Sequence, residues 1–295
     1  AKKVAMEHLA SFNRKIQGYE EDIFKGGAKF KNGDTLVARI TPCLENGKTA
    51  YVDFLVDKEV AFGSTEFIVL RAKEGISNSK FIFYLAISDE FRDTAIQLMS
   101  GSSGRQRVET EALKQKVFSL PPLTEQKAIA EVLSSLDDKI DLLTRQNKTL
   151  EDLAQTYFRR WFLEENDNDT IMVSEIAKLE NNSVSPKRQP LAPFRHYSIP
   201  AYDNAQTPVV ELGNTILSNK FTVQPNSILV SKLNPITPRI WRIDENVMPN
   251  SVCSTEFQVL KPHDIKHYLF LYFLMKSNDV VSSFAMSATG TSGSH

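Results

Sequence analysis

The chain repeats itself at an interval of about 190 residues, and an internal repeat decides architecture before anything else is weighed. Asp34-Thr35-Leu36-Val37-Ala38-Arg39-Ile40-Thr41-Pro42 aligns with Ser227-Ile228-Leu229-Val230-Ser231-Lys232-Leu233-Asn234-Pro235: an apolar strand, a basic residue and a Pro-terminated turn. Ser64-Thr65-Glu66-Phe67 recurs as Ser254-Thr255-Glu256-Phe257, and Gly101-Ser102-Ser103-Gly104 as Gly290-Thr291-Ser292-Gly293. Between the last two markers both copies carry an aromatic-rich helical stretch, residues 81–99 and 268–286. Three matches in one order, with a common helical stretch, establish a duplication. Each copy reads as short strands with Gly, Pro and Asn turns, predicted for example at 35–40, 49–56 and 66–70, followed by one or two helices. The fold class is therefore α+β.

The copies are joined by a helix. Pro121-Pro122 stops the first copy, and Thr124 reads as the N-cap of the joining helix, with Glu125 in the first turn where it suits the helix dipole. From there Ile129, Leu133, Leu136, Ile140, Leu143, Asn147, Leu150, Ala154, Tyr157 and Trp161 fall at alternating spacings of four and three, the heptad seam of a coiled coil. The 33 residues of that seam span roughly 50 Å, enough to hold two domains apart. Asn147 either selects register inside a helix pair or faces solvent where the seam loosens. Asp137, Asp138, Asp141, Glu151 and Asp152 lie off the seam, as a solvated face or as a surface for a partner. The predicted layout is a first domain over 1–120, a long helix over 121–165 and a second domain over 166–295.

Composition narrows the class. With 41% hydrophobic and 24% charged residues, the chain is a globular protein, and no stretch reaches the roughly 18 apolar residues that cross a bilayer. No membrane partner is expected. The start, Ala1-Lys2-Lys3-Val4-Ala5, is followed by charged and polar residues where a signal peptide carries its apolar core. Cys43 and Cys253 are isolated from each other and from any His cluster, which fits packing residues in a reducing cytoplasm. The net charge of −1 is unevenly spread: 18 Lys+Arg against 16 Asp+Glu in residues 1–118, 6 against 11 in 119–170, and 11 against 9 in 171–295.

Three segments carry a resemblance: Gly101-Ser-Ser-Gly-Arg-Gln-Arg-Val, then Ser119-Leu-Pro-Pro-Leu-Thr-Glu-Gln-Lys-Ala-Ile-Ala, then Leu136-Asp-Asp-Lys-Ile. In this order they resemble the end of a target recognition domain and the start of the spacer helix in specificity subunits of type I restriction-modification systems. The resemblance implies two repeated target recognition domains on one coiled-coil-type helix. Each domain would read half of a bipartite site in double-stranded DNA, while paired helices set the spacing and hold methyltransferase subunits. It further implies that this chain is not an enzyme and binds no cofactor or metal. S-adenosylmethionine, ATP and Mg would belong to the partners, the methyltransferase and, through it, a restriction and translocase subunit. The second copy has residues 171–196 ahead of its match, the first has almost nothing upstream of Met6, and a second spacer helix is absent. The chain then is a fragment, a permuted arrangement or a variant that pairs its helix with that of another molecule, as in a homodimer.

Bases are read chiefly by Arg or Lys on guanine and Asn or Gln on adenine, while phosphate contacts set the register. Candidates in the first copy are Ser102, Ser103, Arg105, Gln106 and Arg107 in the Gly-flanked loop, Arg39 and Lys48 around the Thr41-Pro42 turn, and Arg14 and Lys15 in an earlier loop with Gln17. In the second they are Thr291 and Ser292, then Lys232, Asn234, Arg239 and Arg242 around the Pro235 turn, with Lys187, Arg188, Arg195 and Tyr197 upstream. The Gly-Ser-Ser-Gly loop has a second reading, in which its glycines let it cross tightly against the base of the helix. The modest basic excess of each domain assigns much of the phosphate attraction to a partner.

Enzyme signatures fail on inspection. Glu45-Asn46-Gly47-Lys48-Thr49 resembles the end of a phosphate-binding loop, but Pro42 stands where its leading Gly belongs. Asn234-Pro235-Ile236-Thr237 lacks the second Pro and the aromatic of an adenine methyltransferase motif. His8, His196, His263, His267 and His295 are scattered, and His263 with His267 lacks the Glu of a metalloprotease helix. A different class stays open, a non-catalytic coiled-coil scaffold whose flanking domains bind proteins. The seam itself is testable: replacing Leu136 and Leu143 with Lys is expected to abolish self-association or partner binding in light scattering, and an unchanged mass would sink the coiled-coil reading.

Overall fold

The computed structural model describes residues 1–102, 104–164 and 171–287, and the chain divides into two compact units, Ala1–Asn147 and Lys148–His295. In the first unit the strand Asp34–Ala38 is buried at every position, with Thr49–Tyr51 on one side and Phe67–Arg71 on the other, both antiparallel. Successive side chains of a strand leave opposite faces, so Leu36 enters one core with Val4, Phe30 and Val52. Its neighbour Val37 enters another with Leu44, Ile68, Ala86 and Phe91. The one carboxylate in this strand, Asp34, accepts two hydrogen bonds from Arg71 at 2.7 Å each. A bidentate partner of this kind is what makes a buried charge tolerable.

A second sheet orders its strands Glu20–Glu21, Lys2–Val4, Ala61–Gly63 and Ala28–Phe30, with Lys2–Val4 parallel to Ala61–Gly63. The predicted helical stretch 81–99 is two helices, Ser79–Ile87 and Asp89–Gln97. Asn78 caps the first by accepting the Phe81 N–H, and Ser88 ends it and caps the second by accepting that of Phe91. The ladders run over Asp34–Ala38, Thr49–Tyr51 and Phe67–Arg71, so the ends differ from those read: residues 41–47 form turns and residues 52–54 leave the sheet.

The second unit repeats this plan strand for strand. Ser227–Ser231 lies between Ile240–Ile243 and Phe257–Pro262. The other sheet runs Val209–Leu212, Pro193–Tyr197, Ser251–Cys253 and Lys220–Thr222, and here too Pro193–Tyr197 is parallel to Ser251–Cys253. Lys2–Val4 is therefore the counterpart of Pro193–Tyr197, and the repeat starts before Met6, where the sequence alone would begin it. Two strands, Ala177–Glu180 and Ser183–Val184, add an edge to each sheet. They have no counterpart among the described residues of the first unit. Cys253 is fully buried in this core, and burial pushes its thiol up to about 12.

The joining helix runs from Leu123 to Arg159 and closes with a π-helical turn, Arg160–Glu164; 37 residues make about 55 Å. Thr124 lies inside its first turn and is not the N-cap. The start is set by Gln126, whose buried side chain accepts the Asn78 N–H at 3.0 Å and donates to the carbonyls of Ile76 at 3.1 Å and Pro121 at 2.9 Å. The Pro-Pro-Leu-x-Glu-Gln element is thus a polar pin between helix and first unit.

The off-seam carboxylates dock the helix. Asp137 accepts the Tyr84 hydroxyl at 2.7 Å, Asp138 pairs with Arg14 and Asp141 with Lys15. Within the second unit Glu151 accepts from Tyr272 and Lys276, and the buried Phe158 ring packs on Phe270 at 5.4 Å. The solvated-face reading is corrected for these four acids; Asp152, paired with Lys148 one turn away, fits it. Tyr84 and Tyr272 each lie in the first aromatic helix of their unit, Ser79–Ile87 and Tyr268–Met275. Of the seam, Ile129, Leu133 and Ala154 are half-buried in their own units. Leu136, Ile140, Leu143, Leu150, Tyr157 and Trp161 are 44–63% exposed, and Asn147 is exposed with them. No helix among the described residues is long and apolar enough to cross a membrane.

Burial raises the Glu151 carboxyl, but Lys276 and Tyr272 outweigh it and hold it below the ordinary carboxylate range. A lowered folded-state value contributes stability that is fully present above the unfolded-state pKa and is lost as pH falls through the folded one. Glu151→Gln is expected to lower the unfolding free energy near pH 7 by about 0.5–1 kcal/mol, a range that allows for solvent screening of a half-exposed pair. It should also flatten the pH dependence below about pH 4.3. Urea unfolding across that range is the measurement.

Candidate nucleic-acid interface

Two of the basic segments singled out in the first repeat, separated by more than sixty residues of chain, fold into one platform. Ile40 and Arg107 form a β-bridge. The Thr41 N–H donates to the Gln106 carbonyl at 3.0 Å, and the Val108 N–H donates to the Arg39 carbonyl at 2.9 Å. Beneath this backbone zipper lies Glu66. Its carboxylate accepts Arg39 Nε at 3.1 Å and Arg107 Nε at 2.9 and 3.1 Å. Its own N–H donates to Ser64 Oγ at 3.1 Å, and its carbonyl accepts the Arg39 N–H at 3.0 Å. Burial raises the Glu66 carboxyl, and the two guanidiniums override that and hold it below its ordinary range.

Both arginines keep solvent access, with side chains 32% and 45% exposed against 20% for Glu66. Ser102 and Arg105 are exposed in the same loop, and Gln106 is half-buried. Gly101 and Gly104 have φ of 118° and 80°, a region that glycine enters without strain. A side chain at Gly104 would meet open space, and one at Gly101 only its own loop. The glycines therefore shape the loop, and the reading in which they let it cross tightly against the helix base is corrected. Ser103 lies outside the described residues.

Other candidates in the first repeat serve the fold. Arg14 is nearly buried against Asp138, and Lys15 is held by Asp141; both belong to the helix contact and not to a DNA-facing loop. Lys48 Nζ donates to the Met6 carbonyl at 3.0 Å. A side chain at Gly47 would strike the Phe12 ring at 2.6 Å, so Glu45–Thr49 forms no phosphate cradle. Among the described residues, Glu7, His8 and Glu20 have potential metal-ligand atoms within 4.8 Å of one another, but His8 Nδ1 already accepts the Ala5 N–H at 3.1 Å.

In the second repeat the same backbone frame recurs. The Lys232 N–H donates to the Glu256 carbonyl at 2.8 Å, as that of Arg39 does to Glu66. Asn234 takes a left-handed φ of 48° and its carbonyl accepts the Thr237 N–H at 2.8 Å, which closes the Pro235 turn. Lys187, Arg188, Arg195 and Arg242 are exposed, Arg242 beside Asp244 at 3.4 Å. Two assignments are corrected. Arg239 is bound bidentately by Asp203 at 2.6 and 2.9 Å and is mostly covered. Tyr197 is a core ring set edge-on to Trp241 at 4.9 Å. Thr291 and Ser292 lie outside the described residues.

Glu66 is the residue of this platform that sequence reasoning misses. It is visible there only as a repeat marker, since an acidic side chain is not an obvious reader of DNA.

Residues 10–152 match the type I restriction modification DNA specificity domain. The chain is 33% identical over 135 residues to the specificity subunit of the type I restriction enzyme HindI of Haemophilus influenzae, covering 45% of this chain and 28% of that protein. It is 34% identical over 135 residues to that of EcoAI of Escherichia coli, covering 46% and 23%. Its matches thus span about a quarter of the length of these relatives. Among solved structures it is similar to the HsdS subunit of Thermoanaerobacter tengcongensis, at 17% identity and a TM-score of 0.40 over 98% of this chain and 75% of that one. It is also similar to the type I S subunit of M. genitalium, at 19% and 0.48 over 95% and 74%.

The platform and the helix contact are expected to separate by mutation. Arg14→Ala and Tyr84→Phe are expected to lower the unfolding free energy by about 1–3 kcal/mol through loss of a partly buried hydrogen bond, with duplex affinity unchanged in fluorescence anisotropy. Arg107→Ala is expected to weaken duplex binding and leave urea unfolding close to wild type.

Proposed function

We propose, from the match of residues 10–152 to the type I restriction modification DNA specificity domain, that the chain is a specificity subunit of that kind and reads a bipartite double-stranded DNA site, one half with each repeat. The observation that carries this reading is the convergence of Arg39, Arg105 and Arg107 on one exposed platform inside the matched residues. A guanidinium offers planar paired donors that match guanine O6 and N7 or a phosphate. Gln106 and Ser102 on the same loop add adaptable donors and acceptors. Lys232 at the place of Arg39 gives the second repeat a different reader.

The joining helix sets the spacing between the half-sites and presents its exposed seam, Leu136, Ile140, Leu143, Leu150 and Tyr157 with Asn147, to a second helix. A contiguous apolar face of this kind marks an interaction surface. That partner helix comes from a second copy of this chain or from a further segment of the subunit. Methyltransferase subunits dock on the resulting helix pair and bring S-adenosylmethionine, and a restriction and translocase subunit joins through them with ATP and Mg. In this scheme the chain carries out no reaction and works in the cytoplasm.

Charge supports the division of labour. The acidic excess of the helix region is partly neutralised by Arg14, Lys15 and Lys276, which lowers its repulsion of DNA. The small basic surplus of each repeat then selects sequence, while the partner supplies most of the phosphate attraction.

The test is selection from a duplex library, two randomised half-sites at variable spacing, by the full chain assembled with its methyltransferase subunits. Enrichment of one bipartite sequence at one spacing is expected. Binding with no preference over random duplex would favour a protein-binding scaffold instead.

A further inference from the structure

We propose that Glu66 is a positioning residue for base reading: it holds Arg39 and Arg107 as a pair of oriented forks through which the first repeat selects a guanine. The inference rests on the DNA-recognition reading.

The geometry is specific to this use. Each guanidinium can present a side-on edge, made of Nε and one Nη, or an end-on edge, made of both Nη atoms. The single carboxylate takes the Nε of Arg39 and the Nε of Arg107. The Nε donor of each side-on edge is thereby engaged. The end-on edge of Arg39 stays available, and that of Arg107 gives only a 3.4 Å contact from Nη1 to the Arg105 carbonyl. An end-on edge is suited to the O6 and N7 acceptors of guanine.

Holding the pair also removes two obstacles to reading. Arg39 and Arg107 stand on backbone segments joined by a β-bridge, where two unshielded cations repel each other and long side chains sample many rotamers. The carboxylate between them offsets the repulsion and orders both chains before DNA arrives, so less ordering is needed on binding. The triplet retains one net positive charge. Glu66 is itself fixed from both sides, by Ser64 Oγ and by the Arg39 N–H.

The second repeat supplies an internal comparison. It keeps the Ser-Thr-Glu-Phe turn and the same backbone bond, from the Lys232 N–H to the Glu256 carbonyl. At the place of Arg39 it carries an ammonium, a point charge with rotatable donors that cannot be held edge-on. One frame therefore presents a fixed fork in one repeat and a flexible charge in the other.

The experiment repeats the library selection on Glu66→Gln and Arg107→Lys, with the full chain and its methyltransferase subunits, alongside urea unfolding of each variant. If wild type enriches a bipartite site, Glu66→Gln is expected to lose the preference at a guanine of one half-site. Affinity for the wild-type site should fall about 10- to 100-fold, the scale of one bidentate base contact, with the other half-site and binding to random duplex unchanged. Arg107→Lys, which keeps the charge and loses the fork, is expected to lose the same position. The proposal is overturned if either variant folds as wild type and keeps that preference. It is equally overturned if both half-sites weaken alike, as in a general loss of phosphate contact or of folding. If wild type itself enriches nothing, the recognition reading fails, and this inference with it.

Discussion

A 37-residue helix gains little from its own hydrogen bonds, and most helical stability in proteins comes from packing one face. Here the packed face is held largely by polar groups. Gln126, with three hydrogen bonds to the backbone around residues 76–78 and 121, fixes where the helix begins. Asp137, Asp138 and Asp141 fix it against the first unit, and Glu151 with Phe158 fixes it against the second. Within each unit, directional bonds set which face of its helical stretch is covered more sharply than an apolar stripe does. Leu136, Ile140 and Leu143 are among the residues left exposed in the first unit, and Leu150, Tyr157 and Trp161 in the second.

Much of this is legible in the amino-acid order. The duplication can be read because buried strands and tight turns tolerate few residue types, so Leu36-Val37-Ala38 and Leu229-Val230-Ser231 still resemble each other, as do the two Ser-Thr-Glu-Phe turns. The helix can be read because its seam repeats over more than four heptads. The errors over charged residues share one physical cause. Composition shows that a residue is charged, and says nothing of whether its countercharge is water, a phosphate or a side chain far along the chain. Arg14 and Asp138 are 124 positions apart, and each alone looks like a solvated charge. Arg239 with Asp203 misleads in the same way. Tyr197 is misplaced for a different reason, since an aromatic ring next to basic residues suits a binding surface and a sheet core equally well.

The candidate site is half legible. The residues of the Gly-flanked loop and of the Pro42 turn are each identifiable, but their meeting depends on Ile40 and Arg107 bridging across the fold. The acid that binds them, Glu66, reads in sequence only as part of a turn. Organising groups of this kind are found by asking what holds the basic side chains, a question that needs coordinates.

The two helix-bound tyrosines have a consequence of their own. Tyr84 and Tyr272 lie in the corresponding aromatic helices of the two units, and they donate to different carboxylates, Asp137 and Glu151. The attachment is therefore carried by the unit and is indifferent to the exact stretch of helix it meets, provided a carboxylate is within reach of the phenol. Under the proposed function, attachment to the helix and base reading fall on separate residues of the first unit, Tyr84 and Arg14 for the one and Arg39 and Arg107 for the other. The loops could then change without redesign of the helix.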